Sequence, residues 1–321
     1  MDDPFIWVRA IHFAATILVA GTLWFGAFIA EPAFRKADHS TKPVAVAIAN
    51  VRVRLKWLAW LGLTVALISG VAWLLFVAAQ MADLPLADVF ADTAVRTVMT
   101  QTGFGHAWLV RLVLAGLVAI SLRLTSPQMT ALFWNTALMV SLTAALVGTL
   151  AWSGHAAAGT GFSGTVQLAS DILHLLAAAA WLGGLLPLAI TLRATVHESE
   201  HLSAVASEAV ARFSILGIVS VGTLLATGLI NSWMLVGNVA ALVGTNYGRV
   251  LCVKLALFLC MVAIAGVNRL ILTPRLRHKQ GETARRAAGQ IKRNSLIEGA
   301  LGAAILLIVG LLGTLPPGIE S

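Results

Sequence analysis

The sequence predicts an all-α, polytopic membrane protein with eight transmembrane helices. Three observations predict it. Of 321 residues, 59% are hydrophobic and only 11% are charged, where soluble domains carry roughly 25% charged residues. Mean hydropathy is +0.88. Apolar runs of roughly 20 residues, the length that crosses a bilayer as a helix, recur eight times.

The spans fall near 5–30, 57–80, 106–124, 131–152, 168–192, 212–236, 249–272 and 296–315. The connections are short, so the chain forms one membrane domain with no sizeable soluble core. Met1-Asp2-Asp3-Pro4 is acidic where a cleavable signal would be basic, and the run after it is long enough to span. The loop after the first span holds Arg35, Lys36, Lys42, Arg52, Arg54 and Lys56, and the loop before the last is equally basic. Most of the 22 Lys and Arg lie on one side. That side is cytoplasmic by the positive-inside rule, so both termini face out. The pI near 10.3 therefore reports orientation, and a nucleic-acid partner is not implied. Membrane lipid is the surrounding partner. No G-x4-G-K-[ST] motif is present, so neither an ATP-driven pump nor an enzyme is implied. Cys252 and Cys260 lie on one predicted helix, about 12 Å apart along its axis, too far for a disulfide with each other.

The two halves read as a parallel repeat of four helices each, 1–152 and 153–321. His12-x8-Gly21 parallels His174-x8-Gly183, and Arg54-x15-Gly70 parallels Arg212-x15-Gly228. Thr102-Gly103-Phe104-Gly105-x5-Arg111 parallels Thr245-Asn246-Tyr247-Gly248-x5-Lys254, and Gly148-Thr149-Leu150 parallels Gly313-Thr314-Leu315. Four spans per half is an even number, so both halves enter the membrane from the same side.

Histidines mark the candidate site. His39, His197, His201 and His278 fall in cytoplasmic connections and read as solvated surface. His12, His106, His155 and His174 fall at the outer ends of spans. His12 and His174 lie about 10 Å below the outer boundary, and the repeat makes them equivalents. Neutral imidazole ligates copper, zinc, iron and nickel. Asp171 lies one turn before His174 on the same face, where a carboxylate can orient a metal-bound ring. Ser153-Gly154-His155 opens a flexible outer loop that can receive cargo. The metal-ligand candidates are therefore His12, His155, His174 and His106, with Asp171 behind His174. Met81, Met99, Met234 and Cys252 are softer candidates that read equally well as apolar filler. Snorkelling to the headgroups explains Arg111 and Lys254; a gate or an anion contact is the sharper alternative. Glu298 either pairs with the basic loop before it or forms the inner station of a cation path.

These motifs, in order, resemble the CopD (copper resistance protein D) family of bacterial inner-membrane proteins. The resemblance rests on Ser153-Gly154-His155-Ala156, Asp171-x2-His174 with Trp181-Leu182-Gly183-Gly184, Thr245-x-Tyr247-Gly248-x5-Lys254, Asn268-Arg269, Glu298 and Pro316-Pro317. It implies copper homeostasis: copper ion as cargo, moved across the inner membrane, with a periplasmic CopC-type copper carrier as partner. The competing reading is a redox protein with haem b held by two histidines on facing helices. Trp7-x4-His12 with Trp24-Phe25 before Pro32 resembles, over one helix, the HemJ-type protoporphyrinogen oxidases. A third reading is a scaffold whose histidines are only interfacial.

Overall fold

The computed structural model describes residues 3–37, 42–90, 93–124, 133–153, 161–195, 200–278 and 281–319. Among them there are helices and no strands. In chain order we label them α1 (Pro4–Arg35), α2 (Lys42–Ala82), the short α3 (Ala94–Gln101), α4 (Gly103–Leu124) and α5 (Phe133–Gly148, closed by a 3-10 turn at Thr149–Ser153). Then follow α6 (Gly161–Thr195), α7 (Glu200–Val236), the short α8 (Val239–Gly244), α9 (Asn246–Arg277) and α10 (Gly281–Leu312). Eight of these are long and apolar enough to cross a membrane, matching the eight runs in the sequence.

Several helices are longer than their apolar runs. α2 has 41 residues, about 60 Å at 1.5 Å per residue, twice a hydrocarbon core of about 30 Å. Its first turns carry Arg52, Arg54 and Lys56. These are good helix formers, so the helix continues where hydropathy has already fallen. Two π turns interrupt the ladder, at Gly26–Ala30 in α1 and Asn268–Leu272 in α9. Each is followed within two residues by a proline, Pro32 or Pro274. Proline lacks an N–H and clashes with the carbonyl four residues back, and a widened turn relieves both.

α1 and α6 form the centre. Of their apolar windows 67% is buried, against 11% for α9, so these two are wrapped by protein and α9 faces lipid. They cross at glycine. A Cβ on Gly21 would overlap the Gly183 backbone, and one on Gly183 would overlap the Ile17 carbonyl. With no hydrophobic drive between helices in lipid, such backbone approach supplies the dispersion that holds spans together. α5 and α10 each touch both central helices. Trp24 Nε1 donates to Thr143 Oγ1 at 2.9 Å, tying α1 to α5.

The ends of α4 and α9 share a build. Thr102 Oγ1 accepts from the Gly105 N–H at 3.0 Å, and Thr245 Oγ1 accepts from the Gly248 N–H at 3.0 Å. Each satisfies an orphan helix N-terminal donor. A side chain on either glycine would overlap a carbonyl of the short helix before it, Val98 or Leu242. At the opposite end of the bundle, Arg52 grips Glu31 in a two-pronged pair (2.8 and 2.7 Å). Lys36 and Arg212 share Glu208 (2.9 and 2.7 Å), joining α1 to α7.

The crossing makes a direct prediction. Gly183→Val should destabilise the purified protein by about 3 kcal/mol or more, the upper range for overpacking. Gly217→Ala, where a Cβ meets nothing within 4 Å, should be neutral or stabilising by up to about 1 kcal/mol. Thermal unfolding in detergent compares the two; equal effects would remove the crossing as a constraint.

Candidate functional site

His12 is 3% exposed and faces α2. Its Nδ1 lies 2.9 Å from the Ala66 carbonyl and 3.3 Å from Ser69 Oγ. A carbonyl only accepts, so Nδ1 carries the proton and Nε2 carries the lone pair. Nε2 is buried with no partner. The ring packs on Gly70, whose added Cβ would stand 3.1 Å from His12 Cε1.

His174 repeats this arrangement against α7. Its Nδ1 lies 2.9 Å from Thr227 Oγ1, and that hydroxyl donates to the Thr223 carbonyl at 2.6 Å. The hydroxyl therefore accepts from Nδ1–H, and Nε2 again holds the lone pair. The ring packs on Gly228 at 3.7 Å from an added Cβ. Ser69-Gly70 and Thr227-Gly228 thus serve the two histidines alike, and each ring is turned into its own half of the chain.

The charges around the two rings differ. Three residues before His12 stands Arg9; three before His174 stands Asp171. Arg9 Nη1 donates to the Gly313 carbonyl at 2.8 Å. Arg111 donates to Thr149 Oγ1 (3.1 Å), the Thr149 carbonyl (2.9 Å) and Ser153 Oγ (2.9 Å). Arg111 is 4% exposed, so it does not snorkel as the sequence reading allows; it points inward to close α4 onto α5. Both guanidiniums lie against Trp73, at 5.4 and 5.5 Å from the ring centroid, and His12 meets the same indole edge-on at 5.5 Å. Around His174 the partner charge is mixed: Lys254 acts on both Asp171 and His174, and Tyr247 lies within the field of Asp171.

Asp171 is half-buried, and the Nδ1 partner of His174 is Thr227, not Asp171. His106 is exposed, with Nε2 3.2 Å from the Thr100 carbonyl. His155 lies outside the described residues, as do His39 and His197 and the side chains of His201 and His278. Among the described residues no three His, Cys, Asp or Glu side chains gather as a metal cage. Met81 is exposed, Cys252 and Cys260 are free thiols, and Cys252 Sγ leans on the Leu242 carbonyl at 3.9 Å.

Asn231 escaped the sequence reading. Its Oδ1 is buried without a partner. It lies four residues beyond Thr227, on the same face of α7. Ser170 Oγ donates to the Thr227 carbonyl at 3.3 Å, so Asn231 stands one helical turn beyond the level where α6 and α7 meet through Thr227. Gly228, which the repeat singled out, was the available signal, one turn away.

At the other end of this half lies a cavity of about 380 Å³, lined by α6, α7, α9 and α10. Glu298, 2% exposed, borders it. Its Oε1 accepts from Asn268 Nδ2 at 2.8 Å, and Asn268 Oδ1 accepts from Asn294 Nδ2 at 2.7 Å. Glu298 therefore pairs with an amide placed by the π turn, and not with the basic loop. Asn268→Leu should cost about 2 kcal/mol by leaving that carboxyl without its donor. The double variant Asn268→Leu, Glu298→Leu should recover part of the loss in a thermal-unfolding double-mutant cycle; additive losses would mean the pair is not coupled.

The model of the family described as "Copper resistance protein D-like, N-terminal domain" matches residues 1–165, and "Copper resistance protein D" matches residues 207–312. The chain is 33% identical to Inner membrane protein YebZ of Escherichia coli (strain K12), over 98% of this chain and 99% of the relative. It is 32% identical to Copper resistance protein D of Pseudomonas syringae pv. tomato, over 100% of this chain and 99% of the relative. It is 28% identical to Copper transport protein CutJ of Bacillus subtilis (strain 168), over 71% of this chain and 40% of the relative. No solved structure matches the chain significantly. Eight spans, a histidine on each central helix and full-length identity to these relatives lead to one statement: the chain belongs to the copper resistance protein D family and is a multi-pass inner-membrane protein.

Proposed function

We propose that this protein moves copper ions across the inner membrane, and that it takes them up on the second half of the chain. The observation that carries the reading is the state of His174. Its Nδ1–H is spent on Thr227, which leaves the Nε2 lone pair as the coordinating nitrogen. Asp171 supplies a carboxylate one turn away on the same helix. A hydroxyl that fixes the ring and its tautomer is the usual role of an orienting partner behind a metal-bound histidine. His12 has the same ring geometry, but Arg9 and Arg111 stand beside it with no carboxylate, and two guanidiniums oppose a cation. His155, on the connection into α6, is positioned in sequence to hand cargo over, and a periplasmic CopC-type carrier would deliver it.

The path continues within the second half. The cavity bordered by Glu298 at its far end gives a bound cation a second carboxylate. Entry at His174 and exit past Glu298 would place translocation among α6, α7, α9 and α10, with the first half as support.

The test is cellular copper measured in a deletion strain complemented with wild-type or variant protein. His174→Ala and Asp171→Asn should behave like the deletion. Thr227→Val should weaken copper affinity by about 10- to 100-fold, the range for loss of an orienting partner. Copper levels that are the same with the wild type, the variants and the empty vector would end the transport reading.

A further inference from the structure

We propose that the first half of the chain carries a binding site for a single small anion of the halide class, beside Arg111 and His12. This goes beyond copper handling and does not depend on it. Arg9 and Arg111 are 6% and 4% exposed. Among the described residues neither pairs with a carboxylate; their hydrogen bonds go to the Gly313 and Thr149 carbonyls and to the hydroxyls of Thr149 and Ser153. Burying one ion without a counter-ion costs several kcal/mol, and here two stand against one indole.

The hydrogen bonds are also incomplete. Arg9 Nε, Arg111 Nη1, Trp73 Nε1 and His12 Nε2 are all buried without a partner. The first three are obligate donors. Among the described residues, four of the six buried side-chain atoms without a partner thus belong to residues grouped around the Trp73 ring. Beside Arg111 and His12 lies a cavity of about 20 Å³, walled by Thr16, Gly70, Trp108 and Ala115. About 10–15 Å³ of such room admits one water, so the space suits a monatomic anion. Arg111 Nη1 would donate to it, with Arg9 adding its charge from across Trp73. The equivalent place in the second half holds Asp171 and Lys254, which balance one another, so no anion is called for there.

The experiment uses the full-length protein in detergent at pH 7, exchanged into gluconate. Binding of radiolabelled chloride is followed by equilibrium dialysis at constant ionic strength. One chloride per chain, saturating in the millimolar range or below, is expected. Arg111→Gln should weaken it at least tenfold. Ala115→Met, which fills the cavity and keeps both arginines, should do the same, and circular dichroism confirms that each variant is folded. Absence of saturable chloride on the wild type would overturn the proposal, as would binding that persists unchanged in Ala115→Met. Trp73 and Trp108 give a parallel readout: iodide should quench tryptophan emission in a saturable phase that chloride competes away.

Discussion

The contact on which the rest of the structure depends is the backbone crossing of α1 and α6 at Gly21 and Gly183. Hydrocarbon tails are as apolar as leucine, so two apolar helices in a bilayer gain little by hiding side chains from lipid. They gain by close approach. Glycine at both positions removes the two Cβ atoms that would hold the helices apart. α5 and α10 then pack against both central helices, α2 packs along α1 and α7 along α6. His12 and His174 each lie nine residues from the crossing glycine, so the crossing sets both rings at matching heights.

Matching height does not make matching chemistry. Both rings spend Nδ1 in a hydrogen bond to the next helix, keep Nε2 free and rest on a glycine. The groups around them differ in charge. Arg9, Arg111 and Trp73 surround one; Asp171 and Lys254, which balance one another, stand by the other. Two similar local arrangements thus form two imidazole seats, and a few flanking residues differ between them. On our proposals one seat takes a cation and the other stands beside an anion. The division also accounts for the inward aim of Arg111, since a guanidinium anchored on Thr149 and Ser153 is not available to the headgroups.

Much of this was legible in the chain. The eight spans follow from apolar length alone, because a bilayer demands about twenty apolar residues wherever the chain crosses. The Thr102–Gly105 and Thr245–Gly248 parallels reappear as identical caps, because capping is a local event within four residues. The contrast between Arg9 and Asp171 was readable too, three residues ahead of each histidine, and passed unnoticed. Thr227, Asn231 and Trp73 were not readable as site residues. They reach the histidines only through the packing of neighbouring helices, and nothing in a periodic apolar pattern says which face of α2 or α7 meets α1 or α6. The extra length of α2 was hidden for another reason: hydropathy ends at the membrane, but helix propensity does not.

The sequence by itself determined the class, the number of spans and the positions of the histidines. Each of these is a statement about composition or spacing along one chain, and the bilayer enforces it locally. Only the tertiary structure decided which atoms the histidines spend and which they keep, that Arg111 turns inward, and that Glu298 answers to Asn268. Those outcomes depend on which residues from different helices share one level and one face. That is settled by how closely backbones can approach, a three-dimensional quantity that linear order does not contain.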